Sequence, residues 1–275
     1  MNRMNLLWLR APLLMAVAAL AACSNDEQAA EAQQQTWTLV VQTSKSDADD
    51  TTRGVTLSGG KLISCWKANT AAEVYDGNTK VGTLYSSYSS NGHTTLTGII
   101  EGRYYTTNKQ LTLYSPAKDC DFSGQDGTPE GMTDYLVGTI TIENISLQNR
   151  LIETSDVTFE RLSTFNKFTL ADGYTVKTLK IEADDLVGSP ITVTTSGNTN
   201  IFYVALSNTN QTSRTEYHFE GRSADGSVFF LGTANGMLKY GKYYEGTISL
   251  NPSISVIIET PWISGDNLGT DNLNL

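Results

Sequence analysis

Trp37, Leu39 and Val41 alternate with Thr38, Val40 and Gln42 near the start of a long polar and apolar mosaic. Alternation with a period of two puts every second side chain on one face, so residues 37–43 are predicted to form a half-buried strand. The same pattern predicts strands over 54–57, 61–66, 73–75, 81–85, 94–100, 110–114, 138–145 and 157–162. Turn-forming clusters separate them, among them Ser58-Gly59-Gly60, Asp76-Gly77-Asn78 and Asn91-Gly92. A second series covers 164–170, 175–182, 191–195, 200–206, 215–222, 228–231, 243–250 and 253–260. Between 222 and 228 the run Ser223-Ala224-Asp225-Gly226-Ser227 reads as a hairpin turn, with Gly226 where a positive φ is needed. No segment sustains an apolar period of 3.6; the best helical candidate, 130–135, is one short turn region. Short strands at even spacing argue an all-β chain of sandwich type, divided into domains at 37–150 and 151–275.

Composition narrows the function classes. The chain has 275 residues, of which 39% are hydrophobic and only 17% charged, so Ser, Thr, Asn and Gly supply most of the polar surface. Thr is β-branched and tolerates water, which suits antiparallel strands with one wet face. Lys and Arg number 19 against 29 Asp and Glu, a formal net charge of -10. Nucleic-acid binding needs a basic surface to displace counterions from phosphate, so no nucleic-acid partner is expected. Two histidines and three cysteines exclude His-rich metal cages and multi-cysteine zinc modules.

The first residues read as an address. Arg3 and Arg10 precede an apolar run over 11–22. At about 1.5 Å per residue a helix of this length spans roughly 18 Å, short of the ~30 Å hydrocarbon core. The run is therefore a secretory h-region rather than a membrane span. Its end, Leu20-Ala21-Ala22-Cys23, resembles the bacterial lipobox, which implies cleavage between Ala22 and Cys23 and acylation of Cys23. A diacyl anchor with an amide-linked chain holds far more firmly than one acyl chain. The mature protein would then have 275 − 22 = 253 residues and a net charge of -10 − 2 = -12. Residues 23–36, with Ser24-Asn25-Asp26-Glu27 and an Ala/Gln-rich run, are expected to be a flexible tether. The acidic residues behind Cys23 resemble the surface-export signal of Bacteroidetes lipoproteins, and equally read as a solvated linker.

Further along, an ordered set of segments resembles a family. It runs from Trp37-Thr38-Leu39-Val40-Val41 through Thr51-Thr52-Arg53-Gly54, Leu57-Ser58-Gly59, Trp66-Lys67-Ala68-Asn69, Val74-Tyr75-Asp76 and Gly82-Thr83-Leu84 to Thr95-Leu96-Thr97-Gly98. It continues with Leu111-Thr112-Leu113-Tyr114-Ser115-Pro116, Asp121-Phe122-Ser123-Gly124-Gln125-Asp126-Gly127-Thr128, Lys167-Phe168-Thr169-Leu170, Tyr203-Val204-Ala205 and Gly241-Lys242-Tyr243-Tyr244. In this order they resemble the fimbrillin-like, type V pilin-related lipoproteins of Bacteroidetes. The resemblance implies two tandem transthyretin-like β-sandwiches and a place on the outer membrane, probed by other fimbrial subunits or by host and bacterial surface ligands. It implies a structural or adhesive role, without catalysis and without a cofactor. In shaft members a protease cuts after an arginine near the first strand, and a strand from the next subunit fills the groove left behind. Arg53, before Gly54, stands where such a cut is expected; the alternative is a loop arginine of no consequence. Ile254, Val256 and Ile258 alternate near the end and read either as a donor strand or as the last strand of their own domain. A carbohydrate-binding surface lipoprotein of a glycan uptake system is the alternative function.

Other candidate chemistry is sparse. With Cys23 acylated, Cys65 and Cys120 remain, either as two thiols or as a bridge closing 120 − 65 = 55 residues. Such a bridge could add about 4 kcal/mol through the entropy of the unfolded chain. His93 and His218 lack any HExxH, CxxC or Ser-His-Asp context and read as a turn and a strand residue. Asp119, Asp121 and Asp126 offer oxygen ligands but lack EF-hand spacing, so a solvated loop is expected and no metal. Tyr85, Tyr88, Tyr104 and Tyr105 lie near turns and serve either as packing or as an aromatic contact surface.

Overall fold

A computed structural model describes residues 35–43, 54–58, 61–66, 68–87, 94–102, 105–226, 229–248 and 258–259. The strands of the first half are β1 (Thr36–Gln42), β2 (Gly54–Ser58), β3 (Lys61–Cys65), β4 (Ala71–Asp76), β5 (Thr79–Ser86), β6 (Thr95–Glu101), β7 (Gln110–Ser115) and β8 (Leu136–Ser146). They are followed by β9 (Leu151–Thr154), β10 (Glu160–Arg161), β11 (Thr164–Leu170), β12 (Val176–Glu182), β13 (Ile191–Thr199) and β14 (Ile201–Leu206). The last are β15 (Thr215–Arg222), β16 (Phe229–Gly236), β17 (Tyr243–Ile248) and β18 (Ile258–Glu259). Two single-turn 3-10 segments, Pro129–Gly131 and Ala171–Gly173, are the helical elements among the described residues. None is long and apolar enough to cross a membrane. The chain is all-β, built as β-sandwiches, as the alternation predicts.

In the first sandwich the strands pair in the order β10-β8-β7-β4-β5-β6-β1-β9, and β8 also pairs with β9. β8 is long enough to serve both ends. Its first half runs against β7 from Leu136↔Ser115 to Thr141↔Gln110, and its second half takes β9 from Ile142↔Thr154 to Ser146↔Leu151. A register shift between Ile142 and Asn144 bends β8 at the changeover. The layer therefore wraps round and closes on itself. Inside lie Trp37, Leu39, Val41, Val74, Leu84, Leu96, Ile100, Leu113, Ile140 and Ile152, all buried. At about 1.5–3 kcal/mol for each fully buried large side chain, this core supplies much of the drive for folding of the first sandwich.

The second sandwich stacks sheet β14-β11-β17-β18 on sheet β13-β12-β15-β16. Phe165, Phe168, Leu179, Ile181, Val193, Phe202, Val204, Tyr217, Phe219 and Tyr244 fill the space between and around them. β11 and β17 run parallel, Phe165↔Tyr243 to Leu170↔Ile248, while the other pairings are antiparallel. The hairpin predicted over 215–231 is present, and Gly226 has φ +71 at its turn.

The pairings carry the first sheet past the expected boundary at 150/151. β9 lies parallel to β1 (Leu39↔Ile152) and antiparallel to β8, and Ile152 and Val157 belong to the first core. The first sandwich thus extends through β10, to Arg161. Nor does each core draw on one stretch of chain. Val55 and Leu62 of the β2–β3 hairpin, with Phe122, Met132 and Tyr135 from between β7 and β8, are buried in the second core. The strand expected over 157–162 shrinks to the two residues of β10 because Val157 makes only a parallel bridge, to Thr43.

Candidate strand-exchange site

β1 is held on both sides. Seven register positions, Thr36↔Glu101 to Gln42↔Thr95, join it to β6, and Thr38, Leu39 and Val40 face Leu151, Ile152 and Glu153 of β9. Thr38 N donates to Arg150 O at 2.8 Å, and Gln42 O accepts from Val157 N at 2.9 Å. Trp37, Leu39 and Val41 point inward; Leu39 and Val41 have no exposed area at all. Two locks close the ends of the strand. At the far end, buried Thr43 donates its N–H to Thr94 O (3.0 Å), and its Oγ1 accepts from Thr94 N (3.1 Å). At the near end, Trp37 Nε1 donates to Gly102 O (3.2 Å), and the indole meets the Tyr105 ring edge-on, with centroids 6.4 Å apart.

Tyr105 is itself fixed. Its hydroxyl donates to Glu101 O at 2.7 Å, and the Lys109 ammonium stands 5.5 Å from its ring centroid. Burial, with the nearby charges of Asp76 and Glu101, pushes the Tyr105 phenol up to about 12. A folded-state pKa above the ordinary value of 10 means the neutral form is favoured by folding; that stability is full below pH 10 and is lost as pH rises toward 12. Tyr217, raised to about 12 by burial in the second core, adds to the same loss. Alkaline titration is therefore expected to destabilise the chain between about pH 10 and 12. The Tyr105→Phe variant should lose less stability over that interval than the wild type; an equal loss would exclude Tyr105 as a contributor.

The chemistry available here is recognition through backbone. Withdrawing β1 would unpair one edge of β6 and one of β9 and leave recesses two residues apart, where Trp37, Leu39 and Val41 sit. Any strand with apolar side chains at alternate positions has the period to refill them.

The other residues singled out by sequence fall elsewhere. Ala22, Cys23, Arg53, His93, Tyr88, Tyr104, Ile254 and Val256 lie outside the described residues. Gly54 opens β2, opposite Cys65 of β3. Cys120 is a free thiol, and the side chain of Cys65 lies outside what the structure describes. Cys120 packs half-buried against the second core, beside a recess of about 480 Å³ lined also by Asp121, Ser123, Gln125 and Pro190. Burial and the neighbouring Asp119 push its thiol up to about 11, away from the reactive thiolate. Ile258 pairs with Gly246 in β18, as an edge strand of its own second sandwich. Asp121 and Asp126 cap turns: Asp121 Oδ1 accepts from Ser123 N, and Asp126 Oδ1 accepts from both Thr128 N and Thr128 Oγ1. Among the described residues no group of three His, Cys, Asp or Glu side chains could hold a metal ion. His218 is exposed on β15 with its Nε2 3.2 Å from Glu216. Tyr85 is about half exposed on the outer face. Sequence reasoning left Tyr105 open between packing and display; its position four residues after Glu101 in a turn gives no hint of the indole, 68 positions earlier, that it meets.

No family model matches the chain, and no curated protein sequence matches it. Solved structures do align with it over most of its length. The tip fimbrial protein Mfa3 from Porphyromonas gingivalis, with C-terminal truncation, is 12% identical, with 82% of this chain and 99% of that one covered and a TM-score of 0.37. The fimbrial anchor protein Mfa2 from Porphyromonas gingivalis is 8% identical, with 86% and 100% covered and a TM-score of 0.39. A fimbrial assembly protein from Parabacteroides distasonis is 8% identical, with 82% and 99% covered and a TM-score of 0.37.

Proposed function

We propose that this chain is a structural subunit of a surface fimbria or adhesin, held in the outer membrane through acylated Cys23 until it is cut, and that β1 is the strand exchanged when subunits join. The observation that carries this reading is the seating of β1. It is the first strand among the described residues, it fills the gap between β6 and β9, and it supplies three buried side chains to the first core. The arginine at 53 follows it and precedes β2, so a cut there would free β1 and leave every other strand attached. The vacated slot would present unpaired backbone to a strand from another subunit, for which the alternating Ile254, Val256 and Ile258 of the next copy are suited once Ile258 leaves its pairing with Gly246.

The test is the N-terminus of the protein recovered from cells. Assembly by exchange predicts a chain beginning at Gly54 and SDS-resistant ladders, both lost in the Arg53→Ala variant. Recovery of chains that all begin at acylated Cys23, with no ladder, would rule out a shaft subunit and leave an anchoring or accessory one. An uncut chain retarded on polysaccharide-affinity gels would instead favour the glycan-binding alternative.

A further inference from the structure

We infer that residues 116–135 are a built-in clamp: an arm of the first sandwich that serves as edge strand to the second and makes the two unfold as one unit. The arm leaves β7 at Ser115 and returns to β8 at Leu136, two residues paired with each other. Between those points it crosses to the second sandwich and bridges the outer edges of both its sheets. On β14, Tyr203 N donates to Gly127 O at 2.9 Å. On β13, Thr194 N donates to Gln125 O at 3.1 Å. The side chain of Gln125 does what a peptide group would do in a ladder: Oε1 accepts from Ala205 N at 2.7 Å, and Nε2 donates to Ala205 O at 3.0 Å. A further bond from Nε2 reaches Phe122 O, and Gln125 is buried. An amide can copy a main-chain unit because it carries one strong acceptor and donors in the same plane.

The arm is braced at its base and its tip. Tyr135 OH donates to Asp121 O and accepts from Asp121 N, and the Phe122 and Tyr135 rings meet edge-on at 5.1 Å. Gly127 has φ +78, and an added Cβ would lie 2.5 Å from Thr195 Cγ2 and 3.4 Å from the Phe202 ring, so the arm lies close against both sheets. The β2–β3 hairpin packs beside it, with Val55 and Leu62 in the same core as Phe122 and Met132. One consequence rests on the functional reading above: a cut before Gly54 would free β1 yet leave β2 and the clamp in place, so the subunit would stay one mechanical piece.

The experiment uses the full, uncut chain, so its outcome does not depend on whether Arg53 is cleaved. In a chain carrying Trp8→Phe and Trp262→Phe, the remaining Trp37 and Trp66 both lie in the first core, so their fluorescence follows the first sandwich, while amide exchange at Tyr203 and Ala205 follows the second. Expected in the wild type are strong protection at both amides and coincident urea midpoints by the two probes. In Gln125→Ala, exchange at Ala205 and Tyr203 should quicken about tenfold or more, and the second sandwich should open at lower urea than the first. Gln125→Glu, which keeps the acceptor for Ala205 N but loses the donor, should fall between. Wild-type amides at Tyr203 and Ala205 exchanging like an open edge would overturn the proposal, as would wild-type midpoints that already differ.

Discussion

Trp37→Ala is expected to cost the first sandwich about 3–5 kcal/mol, the loss seen when a large aromatic is cut back in a core that cannot collapse around the gap. The site is poorly placed to collapse. The indole is 4% exposed, its nitrogen is bonded to Gly102 O, and its ring is one of the surfaces on which Tyr105 rests. Truncation therefore removes buried area, leaves Gly102 O without this donor, and unseats a second aromatic. Denaturant melts of the full chain, read by circular dichroism, should show the shift, and Trp37→Phe should recover part of it. A cost under about 1 kcal/mol would mean that β1 is held by its ladders rather than by its anchor residue.

Gly98→Ala should destabilise by about 2–3 kcal/mol, although the change adds a single methyl group and glycine ordinarily weakens a strand. The reason is the approach of β5 and β6. A Cβ at Gly98 would press into the carbonyl oxygen of Thr83 and lie 2.9 Å from Leu84 Cα, and one at Gly82 would meet the carbonyl of Ile99 in the same way. These are backbone atoms of paired strands, Leu84↔Gly98 and Gly82↔Ile100, so relief requires the ladder itself to part. Gly188→Ala is no control, since Gly188 has φ +75; Gly197, with open space around it, is. Gly197→Ala should change stability little, and equal effects at 98 and 197 would show that crowding between β5 and β6 is not the cause.

Much of the fold is legible in the chain because strands announce themselves locally. Trp37-Leu39-Val41 and Leu111-Leu113 alternate within a few residues, and Asp76-Gly77 marks the tight link between β4 and β5, where Gly77 takes φ +58. What local pattern misses is pairing between distant segments. The four residues of β9 carry too short a pattern to register, yet they complete the closed layer by meeting β1 and β8. β13 runs on through Ser196-Gly197-Asn198, a sequence that reads as a turn, because its pairing with β12 resumes at Val176↔Thr199 past an irregularity. The arm is harder still. Asp121-Phe122-Ser123-Gly124-Gln125-Asp126-Gly127 looks like a polar loop, and nothing near it signals that Gln125 will satisfy a strand 80 residues away. Which sandwich a segment joins is hidden for the same reason, since it depends on which core Val157 or Phe122 enters. At the candidate site the strand itself is visible in the sequence, whereas its locks, Thr43 with Thr94 and Trp37 with Tyr105, are products of the fold.

The continuous ring formed through β8 also bears on timing. A sheet with loose borders sticks to whatever passes, and sheets in transit are at greatest hazard when many identical chains travel together. Here the ring has a built-in safety catch: β6 and β9 are occupied for as long as β1 stays, and the two-residue β10 offers little beyond it. Under the proposed exchange, stickiness would be switched on by removing a piece of the molecule rather than by adding one, so the moment of joining could be set by an agent outside the chain.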